Sequence, residues 1–514
     1  MKPSPPAADA EYSSRMRNLI IVPALMMAMA LVALDTTVVG TAMPTIVGNL
    51  GGLSLYSWVF SAYLLTSTVT VPLYGKLADL YGRKPVLLMG ATLFLAGSLL
   101  SGTAQSMEQL IAFRALQGLG AGAVLPMTMT IIGDIFSIEQ RARIQGLLSS
   151  VWGVSSVAGP ALGGVITDNA NWRWVFLINL PVGLAAIALM SIYYRERVQR
   201  QSHALDYWGT ALFAGSVTTL LVAILQFGEV YGWTSGQTVG LFALSGVLLV
   251  LFLRQEGRTP EPVVPLGLFR NPVIAIASLA GFVGGGMQFG IASYVPLFAQ
   301  GVFGGTAVDA GLVLAPMSIG WPIASVIGGR LILRVGYFPL VLVGSAFLVL
   351  GSLVLLSLSR DSPQIVAMAG VFVVGLGMGF TFTSFVISVQ NAVAWGQRGI
   401  ATASTQFVRS IGGAMTVAIM GTILNSQMAD RLSQIAGAPT NANVLLDVDK
   451  RAALAPSVLE AMRQALASSL HEIYFVVLAM AVLAFVVVWF FPRGRAHELA
   501  HAAPEHATSL EEEA

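Results

Sequence analysis

The sequence predicts an all-α polytopic membrane protein built as two six-helix bundles plus two additional helices, about fourteen transmembrane helices in all. Three observations predict it. Apolar residues make up 55% of the 514 residues and charged residues only 10%, whereas a soluble domain carries roughly 25% charged residues. The apolar residues are gathered into runs of about 20, the length that crosses a bilayer core. Two motifs recur at nearly the same offset in the two halves of the chain, as a duplicated bundle requires.

Taken between charged or Pro/Gly-rich breaks, the runs place helices near 19–43, 57–75, 86–104, 107–133, 142–166 and 175–194. An inserted pair follows at 206–226 and 237–254. The second set lies at 273–299, 308–328, 338–358, 364–390, 399–424 and 471–491. The first run follows Arg15 and Arg17 and contains Ala28-Met29-Ala30, which imitates a signal peptide; its long polar leader and its continuation past Ala33 make it a first transmembrane helix instead. Most of the 27 Lys and Arg residues fall in the loops that lie inside if the N-terminus is inside, so both termini are expected in the cytoplasm. The chain then divides into a cytoplasmic tail (1–18), a first six-helix bundle (19–198), an inserted pair with linkers (199–271), a second bundle (272–492) and a cytoplasmic tail (493–514). The outer loop near 425–470 is polar and Ala/Asn-containing, which predicts a partly helical cap.

The duplication is visible in residues. Gly75-Lys76-Leu77 followed by Gly82 recurs as Gly329-Arg330-Leu331 followed by Gly336. Gly118-Leu119-Gly120-Ala121-Gly122 recurs as Gly375-Leu376-Gly377-Met378-Gly379.

Several function classes are excluded. The chain has no cysteine, so disulfides and thiolate metal sites are absent. A net charge of +2, with basic residues scattered at helix ends, does not make a nucleic-acid surface. No G-x-x-x-x-G-K-[ST] phosphate loop occurs. No H-E-x-x-H metal motif is present, and His497, His501 and His506 sit in a polar tail. No nucleophile and base appear at a recognisable spacing, so an enzyme is not expected, and neither a metal nor a cofactor is.

Ionisable residues inside a bilayer are costly and usually functional. Asp35 is the carboxylate well inside a predicted span, and Arg114 lies two turns into the fourth. A buried carboxylate beside a guanidinium can gain and lose a proton as water access changes. The alternative is a permanent structural pair. Arg409 sits mid-span with no intramembrane acid in its own half, which leaves an anionic substrate, backbone carbonyls or a dipole as its partner. In Gly75-Lys76-Leu77-Ala78-Asp79-Leu80-Tyr81-Gly82-Arg83-Lys84, the glycines relieve a tight turn and Asp79 can meet Arg83 one helical turn on. Gly153, Gly159, Pro160, Gly163 and Gly164 thin one helix and interrupt its hydrogen-bond ladder, which serves close packing or a bend.

With these pieces placed, the chain from Leu19 to Phe491 resembles the major facilitator superfamily, specifically its fourteen-helix drug:proton antiporters. Four segments carry the resemblance: Leu34 to Ile46 (first-helix motif), Gly75 to Lys84 (loop motif), Arg114 to Pro126 (fourth-helix motif) and Gly153 to Gly164 (antiporter-type fifth-helix motif). Two positions depart from the pattern: Gly40 stands where many relatives carry Asn, and Leu80 where the wider superfamily often has a basic residue. The resemblance implies a two-bundle fold rocking about a central cavity. It implies a conformational latch of Gly75, Asp79, Gly82 and Arg83, an antiporter-type helix with Gly159, Pro160, Gly163 and Gly164, and proton coupling through Asp35 and Arg114.

The expected function is proton-driven export of amphipathic or cationic small molecules through the plasma membrane, with the proton as coupling ion. Exporters of lipid or another metabolite, a symporter and a sensor stand as alternatives on the same scaffold. Expected partners are membrane lipids and amphipathic substrates, with no nucleic acid; whether a periplasmic or accessory protein joins them is left open. A cavity mixing flat apolar groups with a few polar ones suits loose specificity. Its candidates are Trp58, Tyr63, Gln117, Trp152, Gln288, Phe289, Tyr294, Phe382, Asn391 and Arg409.

Overall fold

The structure, a computed structural model, describes residues 7–136, 138–196, 206–224, 234–259, 262, 264–393, 398–439 and 442–493. The side chains of Lys76, Asp79, Trp152 and some other helical residues lie outside the description. In chain order the helices are α1 (Ala7–Leu50), α2 (Tyr56–Tyr81), α3 (Arg83–Thr103), α4 (Met107–Ile135) and α5 (Ile138–Asn169). Then come α6 (Trp174–Leu177), α7 (Asn179–Tyr193), α8 (Tyr207–Val222) and α9 (Gly236–Glu256). The chain continues with α10 (Pro272–Gly301), α11 (Ala307–Val335), α12 (Tyr337–Leu356), α13 (Gln364–Asn391), α14 (Arg398–Ser433), α15 (Val448–Ala452) and α16 (Pro456–Trp489).

Eleven of the described helical segments are long and apolar enough to cross a membrane. Every expected span coincides with a helix, the one at 175–194 being divided at Ile178 into α6 and α7. α2, α5 and α8 fall outside the eleven. α2 is diluted by Ser57, Ser61, Thr66, Ser67, Thr68 and Thr70, and α5 by Arg141, Arg143 and its glycines. The described part of α8 is short at 16 residues. The expected loop at 425–470 is mostly helix: α14 runs on to Ser433, Ala442–Leu446 forms a 3-10 turn, α15 follows, and α16 begins at Pro456.

The repeated motifs take the same structural jobs twice. Gly82 links α2 to α3 with φ 101°, and Gly336 links α11 to α12 with φ 81°. Side chains rarely adopt this region, so both one-residue turns call for glycine. On α4, a Cβ at Gly118 or Gly122 would strike the backbone of Tyr63 or Ser67 in α2, and one at Gly120 would strike Phe94 in α3. On α13, Gly375 and Gly379 lie against Met317 and Trp321 of α11, and Gly377 against Gly344 and Leu348 of α12. Alternate glycines therefore let one helix approach two neighbours at once, in each half.

We call the end that carries the start of α1 and the end of α16 the termini end. At the opposite, far end the halves interlock. Tyr56 of α2 donates to the carbonyl of Ser293 in α10 (2.5 Å), and Ser57 shares a 2.7 Å hydrogen bond with Tyr294. Gln300 donates to the Thr41 carbonyl (3.0 Å) and accepts from Thr45 (3.1 Å). Asn443, in the 3-10 turn before α15, accepts from the N–H of Leu53 (2.8 Å) and so ties that segment to the α1–α2 corner. One apolar core runs through both halves here, including Val39, Ile46, Val59, Tyr294, Leu297, Leu424 and Leu470. α8 and α9 pack Phe213 and Phe252 against Phe407 and Ala418 of α14 and against Trp58 and Leu65 of α2. They cover the seam between α2 and α14.

Candidate functional site

The site begins with spacing on α4. Ser106 caps its start by accepting from the N–H of Gln109 at 3.3 Å, with Glu108 in the first turn where the helix dipole favours an acid. Arg114 and Gln117 follow at i and i+3, so both leave one face. That face meets Asp35 of α1. Arg114 Nη1 lies 2.5 Å from Asp35 Oδ2 and 2.8 Å from Gln117 Oε1, while Gln117 Nε2 donates to Asp35 Oδ1 at 2.8 Å. Asn179 Nδ2, at the break between α6 and α7, donates to Asp35 Oδ1 (3.3 Å) and to Ser98 Oγ (3.0 Å). Ser98 passes its proton donor to the Phe176 carbonyl at 2.8 Å.

Asp35 and Arg114 are each 1% exposed and Gln117 is fully buried. A carboxyl group shut away from water needs such donors to replace the hydrogen bonds it has lost. The guanidinium is held from the other side as well, with Arg114 Cζ 4.1 Å from the centre of the Tyr63 ring. Gly118 is what lets α2 come close enough for that stacking, since a Cβ there would sit 2.5 Å from the Tyr63 carbonyl oxygen. Among the described residues, the buried Tyr63 hydroxyl and Arg114 Nε have no hydrogen-bond partners. Beside Asp35, a cavity of about 70 Å³ is lined by Leu31, Leu34, Val38, Ile166, Asn179 and Val182 among others. It is large enough for water and gives the carboxylate a neighbour space that is almost wholly apolar.

α5 joins this site to the other half through two adjacent faces. Thr37 of α1 donates to the Ser155 carbonyl (3.1 Å), and Cβ atoms at Gly159 and Gly163 would strike Thr37 and Thr41. Pro160 and Gly164 face α11 instead, where Gly311 packs on the Pro160 carbonyl and a Gly164 Cβ would lie 2.5 Å from Val308 Cα. The glycines of this helix are thus spent on two contacts. One is inside its own half and one is between halves.

The remaining expected residues divide. Gln117 and Tyr63, expected on a cavity wall, belong to the Asp35–Arg114 cluster. Tyr294 is fully buried in the far-end closure, donating to the Val417 carbonyl at 3.1 Å. Asn391 donates to Tyr337 at 2.7 Å, at the termini end. Trp58 packs on the α8–α9 cluster. Phe382 stacks on Trp321 (5.3 Å, 22°) and lies under Arg409, whose Cζ is 4.8 Å from its ring centre. Gln288 has a buried Oε1 with no partner among the described residues, and Phe289 packs between the two main cores and against Gly413. Trp152 and Asp79 have side chains outside the described residues. In the loop motif, Glu196 beyond α7 accepts from the N–H groups of Arg83 (2.5 Å) and Lys84 (3.0 Å), capping α3. Lys84 Nζ donates to the carbonyls of Ser191 (2.8 Å) and Tyr194 (2.6 Å) at the end of α7.

Sequence reasoning missed Asn179 and Glu196. A lone Asn within the apolar run 175–194 was a visible signal for the first; nothing local marked the second. Among the described residues, no group of three or more His, Cys, Asp or Glu could hold a metal ion.

The model of the Major Facilitator Superfamily matches residues 25–417. The chain belongs to the major facilitator superfamily. It is 40% identical, over 81% of its length and 77% of the relative's, to "Multidrug transporter protein MdtP" of Bacillus subtilis (strain 168). To "Multidrug resistance protein 3" of the same organism it is 33% identical, over 95% and 98% of the two chains. Among solved structures, a D-xylose-proton symporter matches this facilitator with a TM-score of 0.62 and 14% identity, covering 93% of this chain and 98% of that one. That likeness is one of fold. The facilitator described here is therefore a multi-pass membrane transporter by family and helix content, and not an enzyme.

Proposed function

We propose that this facilitator is a proton-coupled exporter of amphipathic small molecules, of multidrug type. The observation that carries it is the buried contact of Asp35 with Arg114, braced by Gln117 and Asn179. Protonating Asp35 removes the charge that holds Arg114 and frees the guanidinium to shift against Tyr63. Such a pair has two states of different shape, which is what coupling a proton to a rocking motion requires. The relatives named as multidrug transporters support export of varied substrates. In this reading the chain has fourteen spans, as two six-helix bundles (19–198 and 272–492) with the inserted pair of 199–271 between them. It lies in the plasma (inner) membrane with both termini in the cytoplasm.

Coupling works by alternating access. With the far end closed, substrate and proton exchange with the termini side; release of the interlock from Thr41 to Gln300 and from Ser57 to Tyr294 would open the other side. Gly75, Asp79, Gly82 and Arg83 form the latch of the opposite state in this reading. Lipids and amphipathic substrates are the partners, and the proton is the coupling ion.

The test is proton movement in proteoliposomes carrying a trapped pH dye and an imposed pH gradient, challenged with a panel of aromatic cations, neutral molecules and anions. Substrate-triggered collapse of the gradient by the parent, absent from Asp35→Asn, supports the reading. A well-folded parent that responds to no member of the panel sinks it.

A further inference from the structure

Among the described residues, the second half contains a half-buried cation with no counter-charge, Arg409. Arg409 lies about a third of the way along α14, closer to the termini end than Ala414, whose carbonyl accepts from Ser61 of α2 at 3.3 Å. It is half-buried, and among the described residues it forms neither an ion pair nor a hydrogen bond. Its Nε is shut off from solvent with no acceptor. Arg114 in the first half has an acid; among the described residues Arg409 has none. Holding a guanidinium in a membrane core without a carboxylate is expensive, and that cost is met when an anion arrives.

The surroundings are built to leave the guanidinium available. α10 presents Gly281, Gly284 and Gly285 beneath it, and a Cβ at Gly285 would fall on the Arg409 backbone and lie 2.7 Å from its Cγ. The side chain crosses these glycines to lie over Phe382, 4.8 Å from the ring centre. Phe382 is in turn stacked on the half-buried Trp321 of α11. One turn further along α10, the Gln288 carbonyl oxygen is also buried without a donor. A fixed cation, a flat aromatic platform and an unfilled acceptor thus converge from α10, α11, α13 and α14. The platform orients the guanidinium but does not neutralise it, because cation–π attraction leaves the full charge in place.

We infer that Arg409 is the anion-binding element of the substrate site, and that the exported molecules carry a carboxylate or similar monoanionic group on a planar aromatic body. The inference rests on the export reading and assigns its substrate charge, in place of the cationic preference suggested by the family resemblance. The buried Asp35 of the first half is already committed to Arg114, so a cationic substrate finds no free carboxylate at that site. An aromatic carboxylate meets both requirements of the Arg409 site: its charge pairs with the guanidinium, bidentate where geometry allows, and its ring slides against Phe382.

Three probes of one shape separate the possibilities: 2-naphthoate, 2-naphthalenemethanol and 2-naphthylmethylammonium. Their binding to the full chain in nanodiscs is measured by calorimetry, with empty nanodiscs subtracted and no gradient applied. The parent should prefer naphthoate over the alcohol by about tenfold or more, as removal of one partner from a desolvated charge contact commonly does. Arg409→Gln should lose that preference while leaving the alcohol unchanged, and Arg409→Lys should keep part of it. Tightest binding of the ammonium probe by the parent, or a naphthoate preference that survives Arg409→Gln, overturns the assignment. The parent comparison stands even if Arg409→Gln does not fold. Naphthoate preference without gradient-driven transport would remove the export reading and leave the anion site; transport of the panel without naphthoate preference would do the reverse.

Discussion

Asp168, at the end of α5, accepts hydrogen bonds from the backbone N–H groups of Ala307 (3.0 Å) and Val308 (2.9 Å), the first residues of α11. The first half thereby supplies an anion to a helix start in the second, alongside the box that Thr306 and Asp309 make within α11 itself. Beside it Gly164 brings the same two helices into backbone contact. Neither contact survives separation of the far ends, so both bias the molecule toward the state with that end closed.

Asp168→Asn keeps the shape of this cap and removes its charge, which loses about 0.3–1 kcal/mol of dipole interaction. Opening at the far end should rise accordingly, by about two- to fivefold. The chain has no cysteine, so a single Ala310→Cys, at a position fully buried in the closed far end, reports opening by its rate of maleimide labelling in detergent. Equal rates with and without Asp168→Asn would show that this cap does not hold the closure.

The α2–α3 turn is the second place where a small change has a defined sign. Gly82 combines φ 101° with a built Cβ only 2.6 Å from the Glu196 carboxylate that caps α3. Gly336, its counterpart, has φ 81°. Gly82→Ala should therefore destabilise by about 1–2 kcal/mol from backbone strain alone and further by displacing the cap, while Gly336→Ala shows the strain. Glu196→Gln, which keeps the hydrogen-bond acceptor but not the charge, should fall below both. Thermal denaturation followed by size-exclusion chromatography ranks the three; Gly336→Ala as the most damaging would refute the account.

The contrast between these residues shows what was legible before the structure. The helices and the repeated glycine motifs were readable because hydropathy runs and glycine spacing are local. Asp35 and Arg114 stood out because charge in a bilayer core is rare, and their contact followed once α1 and α4 were adjacent. Glu196 and Asp168 could not be read this way. Each is an ordinary loop-end acid whose role comes from the start of a helix more than 100 residues away in sequence. The cavity list was the weakest part. Tyr63, Gln117 and Tyr294 are polar residues on interior faces, and the sequence does not distinguish a face turned to a cavity from one turned to a buried partner.

At the Asp35 site, two readings make different double-mutant predictions. Removing either member alone leaves the other buried without its partner, at about 3–5 kcal/mol in comparable buried pairs. If the pair also couples protons, Asp35→Asn with Arg114→Gln should recover much of the lost stability and none of the substrate-triggered proton flux. A merely structural pair should recover both. Melting and pH-dye measurements on the same four proteins separate these cases, and recovery of flux in the double variant would assign proton coupling elsewhere.

Substrate charge sets how the membrane potential acts on exchange. One proton entering for one monocation leaving moves no net charge, whereas one proton entering for one monoanion leaving moves two. At about 2.3 kcal/mol per charge per 100 mV, the anion cycle gains about 4.6 kcal/mol from a 100 mV potential, equivalent to roughly three pH units. An exporter whose site is organised around Arg409 should therefore be strongly electrogenic. Proteoliposomes with a potassium-diffusion potential and no pH gradient should accumulate 2-naphthoate on the side made positive, and collapse of the potential with valinomycin and equal potassium should abolish it. Naphthoate accumulation indifferent to potential but set by the pH gradient would instead indicate electroneutral movement of the anion together with a proton, and would overturn its exchange for one.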